Sequence, residues 1–265
     1  MIGAMTICFF FDSMARATDY DSVTVCPIAP EASAYASEQL PFLMEFFMRF
    51  AAIDFETASY EPDSACQVGV VVVEEGAITF EKCWLIRPSR LYFSERCIAV
   101  HGIRPRDVLN APTWPIVWKE LLPILETRIT IAHNAPFDMN VLLNSILGCD
   151  EIAPRIEFQC TRLIARRTWP GRTGYGLHPT ATSLGIQFQH HDALEDARAC
   201  AQIAIASCKQ VEADSIESLE NILSISRGHI ECDSKVSPKS VNRKKRDQRN
   251  SIAAINAELQ AEGNR

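Results

Sequence analysis

The sequence predicts an α/β domain, and two features carry that expectation. Short apolar runs rich in β-branched residues alternate along the chain with segments whose apolar residues recur at helical spacing. The 265 residues are 47% hydrophobic, which suffices for the core of one medium domain with appendages or of two small ones.

Residues 1–47 sustain no period and contain Pro27, Pro30 and Pro41, so they are expected to form a poorly ordered leader, with Met44 or Met48 as alternative starts. A folded domain over 48–212 follows, then a basic tail over 213–265 with weak helical segments. The domain opens with the strand Phe50 to Thr57, in which Asp54 and Glu56 share a face, their Cα atoms roughly 6.6 Å apart at about 3.3 Å per residue. Two carboxylates on one face of a buried strand repel, and a divalent metal between them is the simplest remedy. An edge strand with its polar face in water is the alternative.

After a polar loop with Pro62, the run Cys66 to Val73 reads as a strand, Glu74-Glu75-Gly76 as a turn, and Ile78 to Ile86 as the returning strand of a hairpin ended by Pro88. A helix entered through Thr113 runs to Leu125 on Val117, Leu121, Leu122 and Leu125; Pro115 suits its first turn, and Pro123 should kink or shorten its end. The short strand Ile129 to Ala132 leads into His133-Asn134-Ala135-Pro136-Phe137-Asp138. Pro136 favours a first helical turn capped by Asn134 or Ala135, with the helix reaching about Leu147. Asp138 then lies where it complements the helix dipole, an effect of a few tenths to about 1 kcal/mol.

Ile156 to Cys160 is a further strand and Thr161 to Trp169 a helix, followed by a flexible loop at Gly171, Gly174 and Gly176 and a short helix closed by Leu184-Gly185-Ile186. The last strong helix starts at His190-His191-Asp192 and presents Leu194, Ala197, Ala201 and Ile205. Asp192 can cap it while Glu195 reaches back. Asp196, four residues on from Asp192 on the same face, is not explained by capping and should repel it; a nearby cation would remove the conflict. Beyond it, Ser215 to Ile225 reads as a helix, Ser234 to Ser240 as linker, Arg243 to Arg246 as a basic cluster, and Ile252, Ile255 and Leu259 as one face of an amphipathic segment.

From Lys235 onward eight Lys and Arg oppose three Asp and Glu; removing that +5 from the net −7 leaves −12 on residues 1–234. An acidic body with a basic tail is compatible with a metal-dependent enzyme acting on a polyanion. The ten cysteines are scattered without a CxxC pair, which argues against a zinc site and for reduced thiols in a cytoplasmic protein. The start has an apolar patch, Ile7 to Phe11, but lacks the basic region of an export signal, and no apolar run is long enough to span a membrane.

The ordered set Asp54-x-Glu56, His133-Asn134-Ala135-x-Phe137-Asp138 and His191-x-x-x-x-Asp196 resembles the DEDDh family of 3′ to 5′ exonucleases, which includes the epsilon proofreading subunit of bacterial DNA polymerase III. Ile98-x-Val100-His101-Gly102-Ile103 is similar to that family's intervening substrate segment, and the likeness covers about residues 49–208. It implies an RNase H-like three-layer fold, a mixed five-stranded sheet flanked by helices, with 48–212 as the exonuclease domain. It also implies two divalent metal ions, Mg²⁺ with Mn²⁺ able to substitute: Asp54, Glu56 and Asp196 at the first, Asp54 and Asp138 at the second, and His191 as general base. His190 competes with His191, but only His191 has the family's spacing to Asp196. Thr57, His101, Gly102, Ile103, His133, Asn134 and Phe137 are the implied substrate-binding residues, although His133, ending the strand beside the site, is more often structural in such a position. The implied partner is a nucleic acid 3′ end, DNA favoured over RNA, and a DNA polymerase subunit is a further one. One stretch departs from the family: Gly176 to Ser183 replaces a leucine-rich segment, which puts the local packing and substrate rim in doubt.

Overall fold

A computed structural model describes residues 48–241. The leader expected over 1–47, the basic cluster Arg243 to Arg246 and the face Ile252, Ile255, Leu259 lie outside the described residues. The β-branched runs pair as one sheet built on β1 (Phe50–Thr57), with β2 (Ala65–Glu74) and β3 (Ala77–Leu85) as an antiparallel hairpin on one side. On the other side β4 (Ile129–Ala132) and β5 (Ala153–Cys160) run parallel to β1. After β6 (Ile225–Ser226), which pairs in a small separate sheet, the antiparallel strands β7 (Gly228–Cys232) and β8 (Ser234–Val236) complete the order β3-β2-β1-β4-β5-β7-β8.

The sheet therefore has seven strands where five are expected, and it crosses the boundary placed at 212. The helix foreseen over Ser215 to Ile225 forms as α7 (Ile216–Leu223), with α1 to α6 introduced below, and Ser234 to Ser240 is mostly strand rather than linker. Edge position explains the misleading pattern: β8 is polar because little of it is buried, and Ile230 alone of the apolar residues in β7 and β8 reaches the core.

Period-two alternation along β1 divides two helical layers. Ala51, Ile53 and Phe55 pack with α2 (Trp114–Leu125) and α3 (Asp138–Leu147). Phe50 and Ala52 face α4 (Thr161–Thr168), α6 (Ala193–Gln210) and α7 through Ile164, Ala197, Ala201 and Ile216. By the same alternation Asp54 and Glu56 continue the face that meets α6. Pro123 does not end α2 early; it sits two residues before Leu125, where only the last turn loses a donor. Helix α1 (Glu95–His101) buries no residue and so shows no apolar period; it is fixed by its ends, with the Ser94 side chain accepting from Cys97 N and Gly102 in the left-handed region at φ 77°. α5 (Leu177–Ser183) begins just before Pro179, which its first turn tolerates.

Candidate active site

Strand β4 pairs with β1 only as far as Ala52 and Ile131, so the C-terminal half of β1 has one open edge. Asp138 fills it: its Oδ1 accepts a hydrogen bond from Phe55 N at 3.2 Å, and the carboxylate is only 1% exposed. The chain reaches this position through a turn rather than a helix. Asn134 takes a left-handed φ of 66°, Phe137 N donates to Asn134 O, and α3 starts only at Asp138, two or three residues later than a cap at Ala135 or Asn134 would place it.

Asp196 arrives from the opposite layer. Asp192 caps α6 as expected, Oδ1 accepting from Leu194 N and Glu195 N, whereas Glu195 pairs with Arg198 instead of reaching back. The first turn of α6 rests directly on β2. A Cβ on Gly69, the partner of Asp54 in the sheet, would stand 2.3 Å from Ala193 O, and Gln67 Oε1 accepts from Ala193 N at 3.2 Å. That close approach brings an oxygen of Asp196 within 4.8 Å of oxygens of Asp54 and Glu56.

Burial and mutual repulsion raise the acids. Glu56 is pushed up to about 8 by burial, then by Asp196 and Asp138; Asp138 rises to about 8, chiefly by burial. Asp54 rises well above the usual carboxylate range for the same reasons, and burial also raises Asp196. Such a cluster is a poor resting place for four negative charges and a good one for hard cations, since oxygen-only donors suit Mg²⁺ or Mn²⁺. His190, His191 and Asp196 form a second ligand group with donor atoms within 4.8 Å, sharing Asp196 with the first.

The two histidines meet Asp196 through different atoms. His190 Nδ1 lies 3.0 Å from Asp196 Oδ1 and Oδ2, whereas His191 meets that carboxylate through its backbone N at 3.2 Å. The His191 ring stacks on His190 at 3.8 Å, its backbone is held at φ 68°, and burial lowers its pKa.

His133 is not free to bind substrate through its ring. It is 9% exposed; Nε2 lies 2.9 Å from Tyr175 O and Nδ1 2.9 Å from Thr161 Oγ1. A carbonyl only accepts, so Nε2 carries the proton and Nδ1 accepts from the threonine hydroxyl. Thr161 Oγ1 then accepts from the Cys200 thiol at 3.4 Å. This chain of bonds ties β4, α4, α6 and the glycine loop together, and burial holds the imidazole neutral, down to about 4.

Of the other expected substrate residues, Thr57, His101 and Phe137 line a cleft of about 400 Å³ together with Glu56, Tyr60 and Val100, among others. His101 closes one end: Nε2 donates to Thr57 O at 3.1 Å and Nδ1 accepts from Ile103 N at 3.0 Å, with Gly102 making the turn between them. Phe137, 48% exposed, lines the same cleft. Asn134 stands beyond the lining residues, Oδ1 accepting from Arg162 at 3.3 Å.

Lys235 was invisible to sequence reasoning. In the tight turn before α3, Asn140 N bonds Phe137 O, leaving Pro136 O without that donor. Lys235 Nζ, from β8, takes its place at 2.7 Å and reaches Asn140 Oδ1 at 3.5 Å. No local pattern marks a contact across 99 residues.

The exonuclease family model RNase_T matches residues 51–204. A PolC-type DNA polymerase III of Thermotoga petrophila is 33% identical over 179 residues, 65% of this chain but 13% of that polymerase, so the chain spans only a small part of such relatives. The epsilon subunit of DNA polymerase III from Treponema pallidum is 26% identical over 61% of this chain and 77% of its own length. Among solved structures, Exonuclease X in complex with 5′ overhanging duplex DNA superposes with a TM-score of 0.55 at 27% identity, covering 66% of this chain and 99% of that one. The nuclease domain of 3′hExo, a DEDDh family member bound to rAMP, superposes with a TM-score of 0.54 at 20% identity over 62% of this chain and 93% of its own, which shows the shared fold alone.

Proposed function

The chain belongs to the RNase_T exonuclease family, and from that premise we propose that it is a metal-dependent 3′ to 5′ exonuclease releasing nucleoside monophosphates from DNA ends. The convergence of Asp54, Glu56 and Asp196 within 4.8 Å is the observation that carries this reading. In it, Asp54, Glu56 and Asp196 hold one divalent cation and Asp54 with Asp138 a second, Mg²⁺ or Mn²⁺. When bound, such a pair supplies charge stabilisation to the attacking and leaving oxygens of an in-line phosphoryl displacement.

The chain's own residues do the rest. His191, kept neutral by its lowered pKa, takes the proton of the attacking water. His190 orients Asp196 through Nδ1. The terminal nucleotide enters the cleft beside Glu56, with Phe137 and Ile103 for base packing and the backbone of Thr57, His101 and Gly102 for polar contacts; Asn134 borders its entrance. Stacking of this kind is worth about 1–3 kcal/mol per base. The DNA preference rests on relatives named as DNA polymerases, and a polymerase subunit is the proposed partner. The eight free thiols among the described residues, Cys66 and Cys200 included, suit the reducing cytoplasm. No described helix is long and apolar enough to cross a membrane.

The test is digestion of matched 5′-labelled DNA and RNA oligonucleotides with Mg²⁺ or Mn²⁺. DNA should shorten stepwise from its 3′ end, and Asp54→Ala should abolish the ladder. Activity that survives in that variant rules the assignment out, and faster loss of RNA reverses the substrate preference.

A further inference from the structure

Between Thr161 and Gly176 the chain carries four arginines, Arg162, Arg166, Arg167 and Arg172, and no Asp or Glu. Residues 1–234 have a net charge of −12, so this run is a local reversal of sign. Among the described residues none of these four arginines pairs with a carboxylate, whereas Arg128, Arg155, Arg198 and Arg227 all do. Arg162 and Arg166 are four apart on α4, hence on one face, where their mutual repulsion goes unrelieved.

The row begins at the site and is held in place along its length. Arg162 Nη1 donates to Asn134 Oδ1, in the turn that leads to Phe137 and Asp138. Arg166 lies 5.9 Å from the centre of the Tyr175 ring, and Arg172 lies 5.0 Å from that of Trp169, with one guanidinium nitrogen, Nη1, donating to Ser183 Oγ and the others left for a further acceptor. The rings are themselves locked: Tyr175 OH donates to Trp169 O at 2.7 Å, Arg172 N donates to Tyr175 OH at 3.1 Å, and Tyr175 O accepts from His133. A guanidinium stacked on a ring keeps its N–H edge for an acceptor, and its fork matches phosphate geometry. With no carboxylate paired to them among the described residues, ordered donors that start at the turn before Asp138 fit a sugar–phosphate backbone.

We propose that Arg162, Arg166 and Arg172 form a phosphate track that takes the sugar–phosphate backbone of the substrate strand upstream of its 3′ end. The inference rests on the exonuclease reading for which strand is bound. It gives α4 and the glycine loop a purpose that the metal site does not need, that of making longer strands bind better than short ones.

Binding of 5′-fluorescein single-stranded DNA of about 3 and about 12 nucleotides to the full chain in EDTA, followed by anisotropy across salt concentrations, tests this without requiring turnover. In the wild type the longer strand should bind more tightly and with the steeper salt dependence. The triple variant Arg162→Gln, Arg166→Gln, Arg172→Gln should lose at least tenfold in affinity for the longer strand and about 2 from its log–log salt slope, at about 0.7 per phosphate contact. It should bind the shorter strand as the wild type does, and Lys at all three positions should restore the slope. Equal losses on both lengths, an unchanged slope, or an effect seen only with a recessed duplex would overturn the proposal. Failure of the exonuclease reading appears separately, as wild-type protein that binds the longer strand yet releases no nucleotide with Mn²⁺.

Discussion

Glu56 and Asp138, each raised to about 8, make the stability of the cation-free protein fall as pH rises. A carboxyl whose folded pKa exceeds its unfolded value binds more protons in the native state, so its contribution is complete below the unfolded pKa, near 4.5, and is lost as pH passes 8. His133 acts in the opposite sense, because its folded value of about 4 lies below 6.5; its contribution is complete above 6.5 and is lost on acidification. Between pH 6.5 and 8 the imidazole is neutral folded or unfolded, and the acids dominate. Melting in EDTA should therefore give a Tm that drops across this interval, as stability falls by up to about 1.4 kcal/mol per pH unit for each titrating group. Saturating Mn²⁺ should remove the drop, and a Tm independent of both pH and Mn²⁺ would contradict the electrostatic picture. Lys235 gives a second prediction at this scale. Lys235→Met leaves Pro136 O unsatisfied and should cost about 1–3 kcal/mol in denaturant melts, while lowering kcat more than it raises KM, since the turn carrying Asp138 loosens.

At the scale of elements, the seating of α6 on β2 decides whether the acids meet. Gly69→Ala puts a methyl 2.3 Å from Ala193 O, and neither backbone can yield cheaply. The expected cost is about 1–3 kcal/mol of stability, with a loss of Mn²⁺ affinity in calorimetry that matches the displacement of Asp196; wild-type affinity would show that α6 can shift without moving its acid. The same element shows what was legible in the sequence. Asp196 stood out because capping explains Asp192 and Glu195 but leaves it over, and Asp54 with Glu56 because strand alternation puts them on one face. The seven-residue α1 was not legible, since it buries nothing. A structural role for His133 was legible from its place at the end of β4, but not its partners Thr161 and Tyr175, which lie 28 and 42 residues away and can be paired only by the fold. The spacing that singled out His191 also says nothing about which of two adjacent rings turns toward Asp196.

For the whole molecule, the segment after α6 belongs to the domain. Ile216, Leu219, Leu223 and Ile225 are in the core with Phe50 and Ile131, and Arg227 pairs with Glu220 and Glu157 while buried Gln159 bonds Glu220. A chain ended after Gln210 exposes that apolar face, leaves buried Gln159 without Glu220 and takes Arg227 from Glu157, so it should fail to unfold cooperatively in urea. One ended after Val241 should keep a sharp transition. Lys235 adds a timing to this architecture. Pro136, and the turn it shares with Asp138, emerges from the ribosome 99 residues before the lysine that steadies it. A nascent chain thus carries every proposed metal ligand before the lysine that steadies the turn at Asp138 has been added.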